Sequence, residues 1–155
     1  MIFCTVGTQA PFDRFVRVVD EVAGRIGEEV VAKVRGGSYV PRNLRAVEFL
    51  PPDEFDALFA RARLIVAHAG MGTILSAMRL GKPVVVFPRV AALGEHRNEH
   101  QLATARKMKE LGYVYVAETA EELLELLSRP DLKPLHAVGP RAAASLVAAI
   151  RRDVG

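Results

Sequence analysis

The sequence predicts an α/β domain with a doubly wound, Rossmann-like parallel sheet, and three observations carry that expectation. Six short runs are apolar without polar alternation, as strands buried on both faces are. Most of these runs are separated by stretches whose apolar residues recur three and four apart, the spacing of helices packed on a sheet. Glycines and prolines punctuate the joins. Strands that alternate with helices pair in parallel, and right-handed crossovers wind the helices onto both faces.

The first run, "MIFCTV", closes at Gly7-Thr8. Pro11 suits a first helical turn, and Phe12, Phe15, Val19, Val22 and Ile26 follow at helical spacing. "EVVAKV" is a second strand closed by "RGGS", and "RAVEFL" is a third. Pro51-Pro52 then leads into a short helix from Asp53, a good N-cap residue. "RLIVAHA" is the fourth strand, with a helix after it through Leu80 that stops at Gly81. "KPVVVFP" is the fifth, followed by a long loop and a helix over residues 97–111. "YVYVA" is the sixth, and Thr119 with Glu122 forms a capping box for a helix ending near Ser128. After "RPDLKP", Ala143, Leu146, Val147 and Ile150 make one stripe of a last helix, over residues 139–152, that packs apart or against a partner.

At 155 residues the chain is one domain, residues 1–155, without a repeat or low-complexity tract. A chain of this size buries roughly 70% of its unfolded surface, enough for a core without staples. One cysteine, Cys4, excludes an intrachain disulfide and fits a reducing, cytoplasmic compartment. The start lacks a basic n-region, and no run reaches the ~20 apolar residues of a membrane span. A net charge of +3 with scattered arginines suits an anionic small ligand, an anionic surface or nucleic acid, and does not choose among them.

In a doubly wound sheet the strand-to-helix turns lie at the carboxyl edge, where ligands bind. Three of those turns carry unusual residues: Gly7-Thr8-Gln9 after the first strand, His68 to Thr73 after the fourth, and residues 89–101 after the fifth. The fold class predicts that they meet. In "HAGMGT", Gly70 and Gly72 let a phosphate approach the free N–H groups of a helix start, and Thr73 adds a hydroxyl donor. The lysine of a P-loop is missing, and Leu75 stands where the dinucleotide fingerprint has its third glycine. The bland alternative is that these small residues only permit a tight turn and close helix packing.

The third turn gathers Arg89, Glu95, His96, Arg97, Asn98, Glu99, His100 and Gln101. His96 to His100 matches H-x-x-E-H literally, so a zinc hydrolase using His96, Glu99 and His100 is a minor alternative. Such a site needs a third ligand, and no acidic residue downstream stands out. A solvated charged face is the other plain alternative. Asp131 and His136 read as surface residues.

"HAGMGTILSAMRLGKPVVVFPR" followed by "GEHRNEHQLATARKMKELGY", with "VGTQAPFDRF" before them, resembles the donor-binding half of glycosyltransferase family 28. The layout is closest to its short members. These are the catalytic subunit of the two-subunit UDP-GlcNAc transferase that acts on dolichol-linked GlcNAc, and the small subunits of bacterial exopolysaccharide glycosyltransferases. The similarity runs to about residue 127. It implies one Rossmann half of a B-type glycosyltransferase fold, with a UDP-sugar along the carboxyl edge as substrate and neither cofactor nor metal.

By motif position the resemblance places Gly7 and Thr8 near the diphosphate, and has His68, Gly70, Gly72 and Thr73 cradle the phosphates. Asn98, His100 and Gln101 reach the donor sugar, and Phe49 and Leu50 fall at the nucleobase pocket. Ser76 stands where many members carry an acid that holds the ribose hydroxyls; serine cannot make that bidentate acceptor contact. The implied reaction is transfer of a GlcNAc-type sugar with inversion and UDP as leaving group. Helix N-termini, Thr73 and Arg89 would stabilise its charge. His68 and Arg89 are the candidate catalytic residues, although the motif points His68 at phosphate rather than at an acceptor. The resemblance further implies a separate membrane-anchored acceptor-binding subunit holding the chain peripherally at the inner face of the membrane, a lipid-linked acceptor and no nucleic acid. The competing expectation is a non-catalytic nucleotide-sugar sensor, which Ser76 and the missing acceptor half favour.

Overall fold

The computed structural model describes residues 1–6, 13–34, 39–68, 71–88, 100–110, 112, 114–129 and 132. In chain order these form β1 (Ile2–Thr5), α1 (Asp13–Ile26), β2 (Val30–Lys33), β3 (Arg45–Val47), α2 (Pro52–Arg61), β4 (Leu64–Ala67), α3 (Met71–Arg79), β5 (Val84–Val86), α4 (His100–Glu110), β6 (Tyr115–Val116) and α5 (Ala120–Leu127). The expected last helix lies outside the described residues.

All five strand pairings are parallel, and the sheet order is β3-β2-β1-β4-β5-β6. The chain winds one way from β1 to β3 and the other way from β4 to β6, which defines a doubly wound sheet. Alternate residues of each strand point to opposite faces, and the core divides accordingly. Phe3, Val31, Ile65, Ala67, Val84 and Val86 pack with Phe59 of α2, Ile74, Ala77 and Met78 of α3, and Ala105 and Met108 of α4. Ile2, Cys4, Val30, Ala32, Leu64, Val66, Val85 and Phe87 pack with Phe15, Val16, Val19, Val22 and Ala23 of α1 and Leu123 and Leu127 of α5. The Phe3 ring meets Phe55 at 5.3 Å and Phe59 at 6.2 Å, both edge-on. Fully burying a side chain of this kind contributes about 1.5–3 kcal/mol.

The connection from β2 to β3 has no helix among its described residues. Residues 39–44 run along α1 instead, and Asp20, 2% exposed, holds them there. Its carboxylate accepts from Tyr39 Oη at 2.6 Å, Arg42 N at 3.0 Å and Asn43 N at 2.6 Å, and Asn43 Nδ2 donates to the Asp20 carbonyl at 3.2 Å. Burial alone would raise the Asp20 carboxyl. The Tyr39 hydroxyl and the amides of Asn43, Arg42 and Leu44 outweigh it and hold the carboxyl below its ordinary value. The same hydrogen bond, with burial, pushes the Tyr39 phenol up.

Several boundaries depart from the sequence expectation. β3 stops at Val47, where its described pairing with β2 ends: Val34 N donates to the Val47 carbonyl at 2.9 Å, and Glu48 to Leu50 leave the sheet. Asp53 is not the N-cap of α2. Pro51 is, and Pro52 takes the first helical position, where its missing N–H costs nothing; Asp53 sits in the first turn facing the dipole. At α5, Thr119 Oγ1 accepts from Glu122 N at 3.2 Å as expected. The return arm is displaced by one residue, because Glu122 Oε2 accepts from Glu118 N at 2.7 Å rather than from the cap itself. α3 does close at Gly81, whose φ of 67° allows Lys82 N to reach Ala77 O at 2.8 Å and Gly81 N to reach Met78 O at 3.2 Å. That pair of bonds is a Schellman cap.

Candidate functional site

The winding reverses between β1 and β4, so the carboxyl ends of these neighbouring strands mark the topological switch point, where ligands of this fold class bind. His68 N donates to Thr5 O across that point at 3.4 Å. His68 is partly buried, and α3 begins three residues beyond it. α3 is anchored by fully buried Ile74 and Ala77, which leaves Thr73 partly buried in its first turn. A core-facing anchor at this spacing fixes the helix start over the end of β4.

The first turns of the helices differ in charge. α1 carries Asp13 there, α2 Asp53 and Glu54, and α5 Glu121 and Glu122, each set against its own helix dipole. α3 and α4 carry no acidic residue in the first turn. These two helices follow β4 and β5. A helix N-terminus bears about half a positive charge and unpaired N–H groups. Where no first-turn carboxylate among the described residues answers that charge, as at α3, an anion from outside can.

On the α1 side of this edge Arg14, which no sequence motif singles out, reaches the exit of β5. Arg14 Nη2 donates to the Pro88 carbonyl at 3.0 Å, and its guanidinium lies 4.5 Å from the centroid of the Phe87 ring. Phe15 packs on the same ring at 5.8 Å. A signal did exist: Arg14 is a cation in the first turn of a helix, where the dipole disfavours it.

Phe49 and Leu50 follow β3 at the same carboxyl edge, three strand spacings or about 14 Å from β4. Phe49 is 81% exposed, whereas Leu50 packs against the core around Phe3 and Phe59. Ser76 is exposed on α3, and Gly72 lies in that helix's first turn. His100 opens α4 and Gln101 follows it. The edge thus brings together His68, Thr73 and the α3 start, with Pro88 beside them and Phe49 farther along. Gly7, Thr8, Gly70, Arg89, Asn98, His96 and Glu99 lie outside the described residues. Among the described residues no three His, Cys, Asp or Glu side chains are placed to hold a metal, and no helix is long and apolar enough to cross a membrane.

Fold and edge define a doubly wound domain with its switch point between β1 and β4, the place where ligands of this fold class bind. The model of the glycosyltransferase family 28 C-terminal domain matches residues 1–151, and the chain belongs to that family. It is 27% identical over 136 residues to the UDP-N-acetylglucosamine transferase subunit ALG13 of Eremothecium gossypii, covering 86% of this chain and 65% of that protein. The mouse protein of the same name is 31% identical over 124 residues, covering 73% of this chain and 10% of its own length. The chain thus spans under two thirds of these relatives. Among solved structures, the solution structure of ALG13 superposes with a TM-score of 0.64 at 22% identity, covering 94% of this chain and 93% of that one. The glycosyltransferase VinC in complex with dTDP gives 0.56 at 23% identity, covering 99% and 38%. These superpositions extend the fold assignment to B-type glycosyltransferases.

Proposed function

We propose that this chain is the donor-binding subunit of a UDP-sugar glycosyltransferase. The observation that carries the proposal is the start of α3, without a first-turn acid, at the carboxyl edge of the switch point in a chain of family 28. The diphosphate would lie against the α3 start, with Thr73 and the motif glycines around it. The nucleoside would run toward Phe49 and Leu50. The names of the ALG13 relatives favour UDP-N-acetylglucosamine as donor.

In this reading UDP leaves the anomeric carbon with inversion, and the N-terminal N–H groups of α3, with Thr73 and Arg89, stabilise the charge that develops on it. The base for the acceptor hydroxyl would come from a separate, membrane-associated subunit that binds a lipid-linked acceptor. The second reading, a nucleotide-sugar sensor, draws on Ser76, which is exposed on α3 where the family resemblance leads one to expect an acid.

One experiment separates the two. The chain is incubated with UDP-N-acetylglucosamine labelled in the sugar and with membranes of its source organism. The enzyme reading expects label in a lipid extract only when the chain is added. Label that stays water-soluble, while UDP binds saturably, selects the sensor.

A further inference from the structure

We infer that Arg14 is a positioning residue of the donor site, acting through the exit of β5. The inference rests on the donor reading above.

β1 and β5 lie on either side of β4, so their exits stand about 10 Å apart, with His68 between them. Arg14 spans this distance from the first turn of α1. Its Nη2–H supplies a donor to the Pro88 carbonyl at 3.0 Å, past the last residue of β5. Pro88 is buried, and a buried carbonyl without a donor is costly, so this bond fixes where the chain leaves the sheet. The guanidinium plane over Phe87, itself 1% exposed, prevents the bridge from swinging away. Phe15, on the same helix as Arg14, grips Phe87 from the side. Helix α1 and the β5 exit therefore move as one body, and together they set the part of this edge that faces His68.

Helix stability does not explain the cation. An arginine this close to a helix N-terminus opposes the dipole, and Asp13 beside it is the residue type that the position favours. What the guanidinium provides there is a planar, permanently charged donor that can bond a carbonyl and lie on a ring together; lysine can do only the first well.

The test is calorimetric titration of the full chain with UDP, comparing wild type, Arg14→Met and Arg14→Lys, with thermal melting of each. Arg14→Met keeps an unbranched apolar stem over Phe87 and donates nothing to Pro88. It should melt cooperatively and lose about tenfold in UDP affinity, equivalent to about 1.4 kcal/mol. Arg14→Lys still donates to Pro88 and should stay within about threefold of wild type. Unchanged affinity in Arg14→Met overturns the inference and leaves the donor reading intact. Equal losses in both variants overturn it by making Arg14 a direct ligand contact. Loss of cooperative melting in Arg14→Met makes it a purely structural bridge and also overturns the inference. A wild-type chain that does not bind UDP overturns the donor reading, and the inference falls with it.

Discussion

Replacing Asp20 by alanine removes the acceptor that holds residues 39–44 on α1, and the structure sets the size of the effect. Four donors lose their partner: Tyr39 Oη, Arg42 N and Asn43 N, at 2.6, 3.0 and 2.6 Å, and the Leu44 amide. Hydrogen bonds to a charged group contribute about 1.5–3 kcal/mol each when their donors stay buried after the loss. Arg42 and Asn43 are exposed and Tyr39 is partly so, so water replaces much of what is lost. The net cost should be about 2–3 kcal/mol, a fall in melting temperature of roughly 5–10 °C for a chain of this size. Urea unfolding followed by circular dichroism at pH 7 measures it. Asp20→Asn keeps one acceptor oxygen and should cost about half as much.

The pH dependence has a definite sign. The folded Asp20 carboxyl titrates below its ordinary value, so its stabilisation is present above about pH 4 and fades as pH falls through the lower, folded value. The gap between wild type and Asp20→Asn should therefore stay constant from neutral pH to about pH 5 and close in stronger acid. An Asp20→Ala protein within 0.5 kcal/mol of wild type (about the uncertainty of such a difference), or a gap that widens in acid, would refute the reasoning.

Two further outcomes are expected. Ser76→Glu places a carboxylate on the exposed face of α3 and should tighten UDP by about threefold to tenfold through a charge-assisted bond to the ribose, as read by titration; weaker binding means the pocket is built differently. Cys4 is fully buried in β1, and burial pushes its thiol up, so a thiol reagent at pH 8 should label the native protein only as fast as it opens. Rapid stoichiometric labelling would contradict the placement of β1 at the sheet centre.

Much of the fold was legible because the strands of a doubly wound sheet are apolar on both faces, and few other structures write "LIVA" and "VVV" between helical stretches. Gly81 announced its own cap because only a positive φ lets Lys82 and Gly81 reach back to Ala77 and Met78. The end of the edge strand β3 was not legible: "RAVEFL" is apolar enough to continue, yet its described pairing with β2 ends at Val47, a register that local pattern does not encode. Asp20 was missed for a related reason. It lies beside Val16, Val19 and Ala23 on the buried stripe of α1, and its partners are 19 to 23 residues away in a coil with no periodicity. At the site, the glycine and histidine motif was visible as a pattern. The bridge from Arg14 to Pro88 spans 74 residues and belongs to no motif.

The central claim is that an anionic diphosphate sits at the start of α3. Calorimetric titration of wild type and Gly72→Asp with UDP tests it most directly, with circular dichroism to establish that both are folded. Gly72 lies in the first turn of α3, so the new carboxylate would occupy the place and the charge that the account gives to phosphate. Saturable binding by wild type, abolished in a folded Gly72→Asp, is the predicted result. Equal UDP affinity in the two proteins would contradict the account.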